Sequence, residues 1–148
     1  MRILGLDVGD VRIGVALSDE TATLATGLST LTRVGPRKDV KAVAALAREH
    51  AVAEVVVGLP RTLMGTVGPQ AEKVLAFADD LKRALRVPVE SWDERFTTSM
   101  AEQALIEGGV SRRDRKDKID RVAAVLILQS YLDSKKVANA RSEETPLP

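Results

Sequence analysis

The chain has 148 residues, 45% of them apolar, and a formal net charge of +1, the size and make-up of one globular domain around one core. It has no cysteine, which excludes disulfides and thiolate-metal sites, and its longest apolar runs are too short to span a bilayer. The first residues enter strand-like sequence directly, without the order of a signal peptide, so the expected location is the cytoplasm.

Arg2 to Val8 and Val11 to Ser18 are apolar and β-branched and meet at Gly9-Asp10, which predicts two strands joined by a tight hairpin. Thr23 to Thr32 is a weaker third strand, so the chain is expected to open as an antiparallel meander. Gly35-Pro36 punctuates it. Val40, Val43, Ala44, Leu46 and Ala47 then recur at helical spacing as far as Glu49. Ala51 to Pro60 is apolar on both faces around Val55-Val56-Val57, as suits a strand inside a parallel sheet. Residues 61–68, with Gly65 and Gly68, read as a loop. Pro69 to Leu85 reads as a helix and Val87 to Asp93 as a short fifth strand. Ser99 with Glu102 fits the capping box of a helix that stops at Gly108-Gly109. Ser111 to Lys118, SRRDRKDK, holds five basic residues in eight and reads as a solvated loop or a phosphate-contacting segment. Lys118 to Leu132 is a strong helix. Residues 135–148 are polar and read as a disordered tail, leaving 1–134 as a single domain.

The expected order is β-β-β-α-β-α-β-α-α. Right-handed crossovers put the fourth and fifth strands parallel to the first, in a five-stranded mixed sheet covered by helices on both faces. In such a sheet, sites gather at the carboxyl ends of the parallel strands. Those ends carry Asp7, then Gly58-Leu59-Pro60, then Asp93-Glu94. Asp120 joins them in the first turn of the last helix, on the face of Ala124 and Ile127. Taken singly, Asp7 could accept bonds from its turn, Asp120 could answer the helix dipole, and Asp93 and Glu94 could pair with Arg95. Taken together, acids from three distant segments point to a hard cation with oxygen ligands, Mg2+ or Mn2+. The lone histidine, His50, ends a helix and reads as structural.

Four stretches carry a resemblance: GLDVGDVRIGVALSD (5–19), VVVGLPRTLMGTVG (55–68), VPVESWDERFTTSMAEQAL (87–105) and KIDRVAAVLILQSYLD (118–133). In order and spacing they resemble the YqgF/RuvX family of Holliday-junction-resolvase-like proteins in the ribonuclease H-like superfamily. The resemblance implies a ribonuclease H-like fold and a metal-dependent nuclease. Its acidic site is Asp7, one acid of Asp93-Glu94, and Asp120. Alternation puts Asp93 and Glu94 on opposite faces of the strand; Glu94 is favoured because its longer side chain can reach past the strand end. Asp117 is a further candidate. By the same resemblance two cations about 4 Å apart bind attacking water and leaving oxygen, with Asp7 bridging them, and cleavage leaves a 5′-phosphate.

Arg12, Arg61, Arg95, Lys116 and Lys118 adjoin these acids and are the candidate contacts to a nucleic-acid backbone. Aromatic residues are only 3%, so recognition is expected to rest on phosphates and shape more than on base stacking. The family likeness points to RNA, through 5′-end processing of the 16S rRNA precursor, and secondly to branched DNA. Junction resolution needs a dimer with two sites; RNA trimming allows a monomer. A non-catalytic nucleic-acid-binding module is the alternative from another class. A phosphotransferase, suggested by DVGDVRIG, needs two such domains, and the chain has length for one.

Overall fold

The two-residue and helical periodicities are realised as one mixed sheet between two helical layers. The computed structural model describes residues 1–60, 67–93 and 112–143, the last stretch as backbone alone over 112–120 and 137–143. Strands β1 (Arg2–Val8), β2 (Arg12–Ser18) and β3 (Ala25–Thr32) form the meander. They are followed by α1 (Pro36–Glu49), β4 (Val52–Leu59), α2 (Pro69–Ala84), β5 (Val89–Asp93) and α3 (Arg112–Glu143). The sheet order is β3-β2-β1-β4-β5; β4 runs parallel to both β1 and β5.

Alternation along β1 decides which layer each residue meets. Leu4, Leu6 and Val8 join Val55, Val57 and Leu59 in a core closed by Val43, Val74, Phe77 and Leu81 of α1 and α2. Ile3, with Ala16 and Val56, faces the other way, onto Ala124, Ile127 and Leu128 of α3. β4, paired on both sides, is buried from Glu54 to Leu59, as its continuous apolar run predicts. Gly5 sits where α3 comes closest: a Cβ there would lie 2.7 Å from Leu128 Cβ and 3.4 Å from the Ala124 carbonyl. Only glycine lets the helix and strand approach so far.

The last helix differs from expectation at both ends. Arg112 to Lys118 form its first two turns instead of a loop, since the segment holds neither glycine nor proline to break it. Asp120 therefore lies in the third turn, not the first. Residues 135–143 continue the helix where the sequence reads as a disordered tail. Lys135 is tied down, its Nζ 2.9 Å from the Glu54 carboxylate. Glu54 is 6% exposed, an acid in the middle of a buried strand, and it also accepts a short hydrogen bond from the Tyr131 hydroxyl. The helix expected at Ser99 to Gly108 lies outside the described residues.

Candidate active site

The carboxyl ends of β1, β4 and β5 share one edge of the sheet, as the topology predicts. Asp7 stands there, partly buried. It pairs with Gly14 of β2. Leu6 pairs with Val57 of β4, and continuing that register sets Gly58 on the other flank. Asp7 thus has a glycine beside it on both neighbouring strands, and the row continues to Thr30 of β3 and Trp92 of β5. It shares its face with Ile3 and Gly5, the face that α3 covers.

Three further placements follow from register. Arg12 opens β2 opposite Thr32 and has the parity of Gly14, so it belongs to the same face as Asp7, two residues nearer the turn. Trp92 pairs with Gly58 and Asp93 with Leu59. Asp93 therefore has the parity of the α1–α2 layer, and Trp92 that of Asp7. Trp92 packs edge-on against Tyr131, ring centres 5.4 Å apart, and its indole N–H donates to Ser130 Oγ at 3.1 Å. α3 crosses this face obliquely. Ala124 and Leu128 lie over Gly5, and Tyr131 and Lys135 reach Glu54, the partner of Ile3. The turn before Ala124 sets Arg121 over Gly27 of β3, which pairs with Ala16, the partner of Gly5, so α3 runs across this face from β3 towards β4 and the backbone of Asp120 lies on the same side of the sheet as Asp7. Arg61, Glu94 and Arg95 lie outside the described residues, as do the side chains of Lys116, Asp117, Lys118 and Asp120. Among the described residues no three of His, Cys, Asp or Glu come together. His50 is remote, beside Met1 and Arg2 at the opposite edge.

An ion pair between a half-buried arginine and a buried aspartate, which the sequence did not reveal, holds the turn after Asp7. Arg33 Nε donates to Asp39 Oδ2 at 3.0 Å, and its Nη1 donates to the Gly9 carbonyl at 2.9 Å. Gly9 N–H in turn donates to the Arg12 carbonyl at 2.8 Å. The Asp39 carboxylate also accepts Val34 N–H at 3.0 Å and Gly35 N–H at 3.4 Å, which closes the start of α1. Burial pushes the Asp39 carboxyl up, but the hydrogen bonds from Val34, Arg33 and Gly35 and the Arg33 charge outweigh it and hold it below the usual carboxylate range. Arg33 also lies 5.3 Å over the Phe77 ring. Nothing local to residue 33 marks it in the sequence; the pair is made by folding. Gly5 did leave a signal, as a glycine inside a strand.

The donor chemistry suits a hard cation. Cysteine is absent from the chain, the only histidine is at the far edge, and the acids of this edge offer oxygen alone.

An antiparallel meander followed by parallel strands, with an acid at the end of the first, defines a ribonuclease H-like fold of the resolvase type. Thermus thermophilus RuvC in complex with Holliday junction substrate superposes with a TM-score of 0.55 at 17% identity, covering 92% of this chain and 96% of that one. Fowlpox virus resolvase with Holliday junction DNA gives 0.55 at 14% identity, covering 91% and 99%. Within that fold the chain belongs to the RuvX family: the family profile, described as Holliday junction resolvase, matches residues 1–134. Two relatives, each named "Putative pre-16S rRNA nuclease", come from Caldanaerobacter subterraneus subsp. tengcongensis and Clostridioides difficile. The first is 53% identical over 137 residues, 92% of this chain and 99% of its own. The second is 50% identical over 134 residues, 90% and 95%.

Proposed function

We propose that this nuclease-family chain is a divalent-metal-dependent phosphodiesterase that trims the 5′ end of the 16S rRNA precursor, acting in the cytoplasm. The observation that carries the reading is Asp7: a carboxylate at the parallel edge, flanked by glycines, on the face shared with Arg12 and the α3 turn of Asp120. No described helix is long and apolar enough to cross a membrane. The names of the relatives from Caldanaerobacter and Clostridioides support the RNA substrate.

Asp7, Glu94 and Asp120 are the residues to hold Mg2+ or Mn2+, which would supply Lewis acidity at the phosphodiester and activate the attacking water. Continuing the alternation of β5 one residue favours Glu94 over Asp93, because Asp93 has the parity of Leu59. Arg12 contacts the phosphate on the face of Asp7, and Arg61, Arg95, Lys116 and Lys118 extend that contact. The Arg33 bond to Gly9 fixes the turn from which both Asp7 and Arg12 depart. Residues 1–134 carry this activity as one domain.

Branched DNA is the second reading, favoured by the family description and by neighbours solved with Holliday junctions. It requires two incisions related by symmetry, hence a dimer. A transcript spanning the 5′ boundary of the 16S rRNA and a four-way DNA junction, offered separately, divide the readings. RNA cut to a 5′-phosphate end at the mature boundary by a monomer is expected. Paired nicks in the junction and an untouched transcript would replace this reading with the second.

A further inference from the structure

The helical layer opposite α3 carries a groove with a largely apolar surface and basic side chains in its lining, which the proposed site does not use. A groove of about 580 Å³ lies between the start of α1 and the end of α2, and Arg37, Lys41 and Arg83 line it. A second, of about 280 Å³, lies between the two helices' C-termini and is lined by Arg48 and Arg86. Ala84 borders both, so they form one seam. Five basic side chains line it against one acid, Asp80, which is already held by Arg83 at 2.6 Å. Among the described residues Arg37, Lys41, Arg48 and Arg86 make no ion pair.

The seam has a direction. α1 begins beside the turn that follows Asp7, because Arg33 bonds to Val11 and Gly9 just before it. It ends at Glu49 and leads into β4 at Val52, whose partner is Arg2 at the opposite edge. Arg37, Lys41 and Arg48 fall on one stripe at positions i, i+4 and i+11 and rise about 16 Å along the helix. The cations therefore lead from the acid-bearing edge across the molecule.

We infer that this α1–α2 seam is a second substrate contact, a track for the phosphate backbone of RNA that extends beyond the cleavage site. The inference rests on the nuclease reading and deepens it. Four of the five lining cations are arginine, whose fork matches phosphate oxygens. Continuity with the acid edge favours the substrate strand over an acidic protein segment, since Arg37 lies in the first turn of α1, which begins beside the turn after Asp7.

Binding separates the seam from the acids. Fluorescence anisotropy in an Asp7→Asn background would compare a short oligoribonucleotide with one several times longer, with and without Arg37→Ala/Lys41→Ala/Arg48→Ala. These three side chains are exposed, and a thermal melt checks that the fold survives their loss. Without the substitutions the long RNA binds more tightly than the short. With them its affinity falls at least about tenfold, and the slope of log affinity against log salt shrinks by about 2. Arg37→Lys with Arg48→Lys restores most of the salt slope, while removal of Arg2 and Lys136, off the seam, changes little. Equal affinity for long RNA with and without the triple substitution would overturn the seam and leave the nuclease reading standing. Retained RNA binding with lost polyglutamate binding would overturn it in favour of an acidic protein partner. Failure of every form to bind RNA of either length would overturn both.

Discussion

Two buried carboxylates set the stability of this molecule residue by residue, and both are paired. Asp39 is 3% exposed at its side chain and Arg33 21%. Asp39→Ala strips the acceptor from a guanidinium and two amides, and the expected loss is about 3 kcal/mol in chemical denaturation. Because the Asp39 carboxyl lies below its ordinary value, its stabilisation is in place above about pH 4 and is lost as pH falls through the folded value. The variant should therefore show a flatter acid limb. The partners of Glu54, Tyr131 and Lys135, have the opposite pH dependence. Burial and the bond to Glu54 push the Tyr131 hydroxyl up. Burial pulls Lys135 down, but its bonds and charge interactions with Glu54 and Tyr131 raise it on balance. Their contribution is whole below about pH 10 and is lost as pH rises through the folded values. Tyr131→Phe leaves one Glu54 oxygen without its donor, at a cost of about 1–3 kcal/mol, and should shrink the alkaline fall in melting temperature. Neither pair was legible in the sequence. Glu54 lies in an apolar run and Lys135 in a polar tail, and only the fold brings them together.

At the scale of elements, the sequence was most informative where burial decides the pattern. β1, α1 and β4 follow from alternation, helical spacing and a two-sided apolar run, because each is set by its own residues against a core. The limits of α3 were misread for the complementary reason. Arg112–Lys118 and residues 135–143 are polar, so periodicity says nothing there, and helix continuation is decided by the lack of a breaker and by the grip of Glu54. The packing of α3 on β1 turns on Gly5. Gly5→Ala puts a methyl 2.7 Å from Leu128 Cβ, a backbone-anchored atom that cannot swing away. The expected cost is about 1–3 kcal/mol by thermal or urea unfolding. The variant should also lose cleavage rate at temperatures where it is still folded, since α3 carries Asp120. An unchanged rate at full occupancy of the fold would detach the position of α3 from the chemistry.

For the whole molecule, topology does what no single motif can. It brings the ends of three parallel strands to one edge, where Asp7 and Asp93 stand, while α1 and α2 put basic side chains along the other layer. The sheet order and the place of Asp7 at the parallel edge were readable from chain order, given the handedness of βαβ crossovers. The register adds that Asp93 pairs with Leu59 and has the parity of the α1–α2 layer. The central claim is that Asp7 holds the metal that makes this chain a nuclease. The direct measurement is cleavage of end-labelled RNA spanning the 16S 5′ boundary by the wild type and by Asp7→Asn, each with manganese, magnesium or EDTA. The account predicts cleavage by the wild type with either metal, none in EDTA, and a loss of at least about a hundredfold in Asp7→Asn with the fold and RNA binding retained. Equal cleavage by the variant, or undiminished cleavage in EDTA, would contradict it.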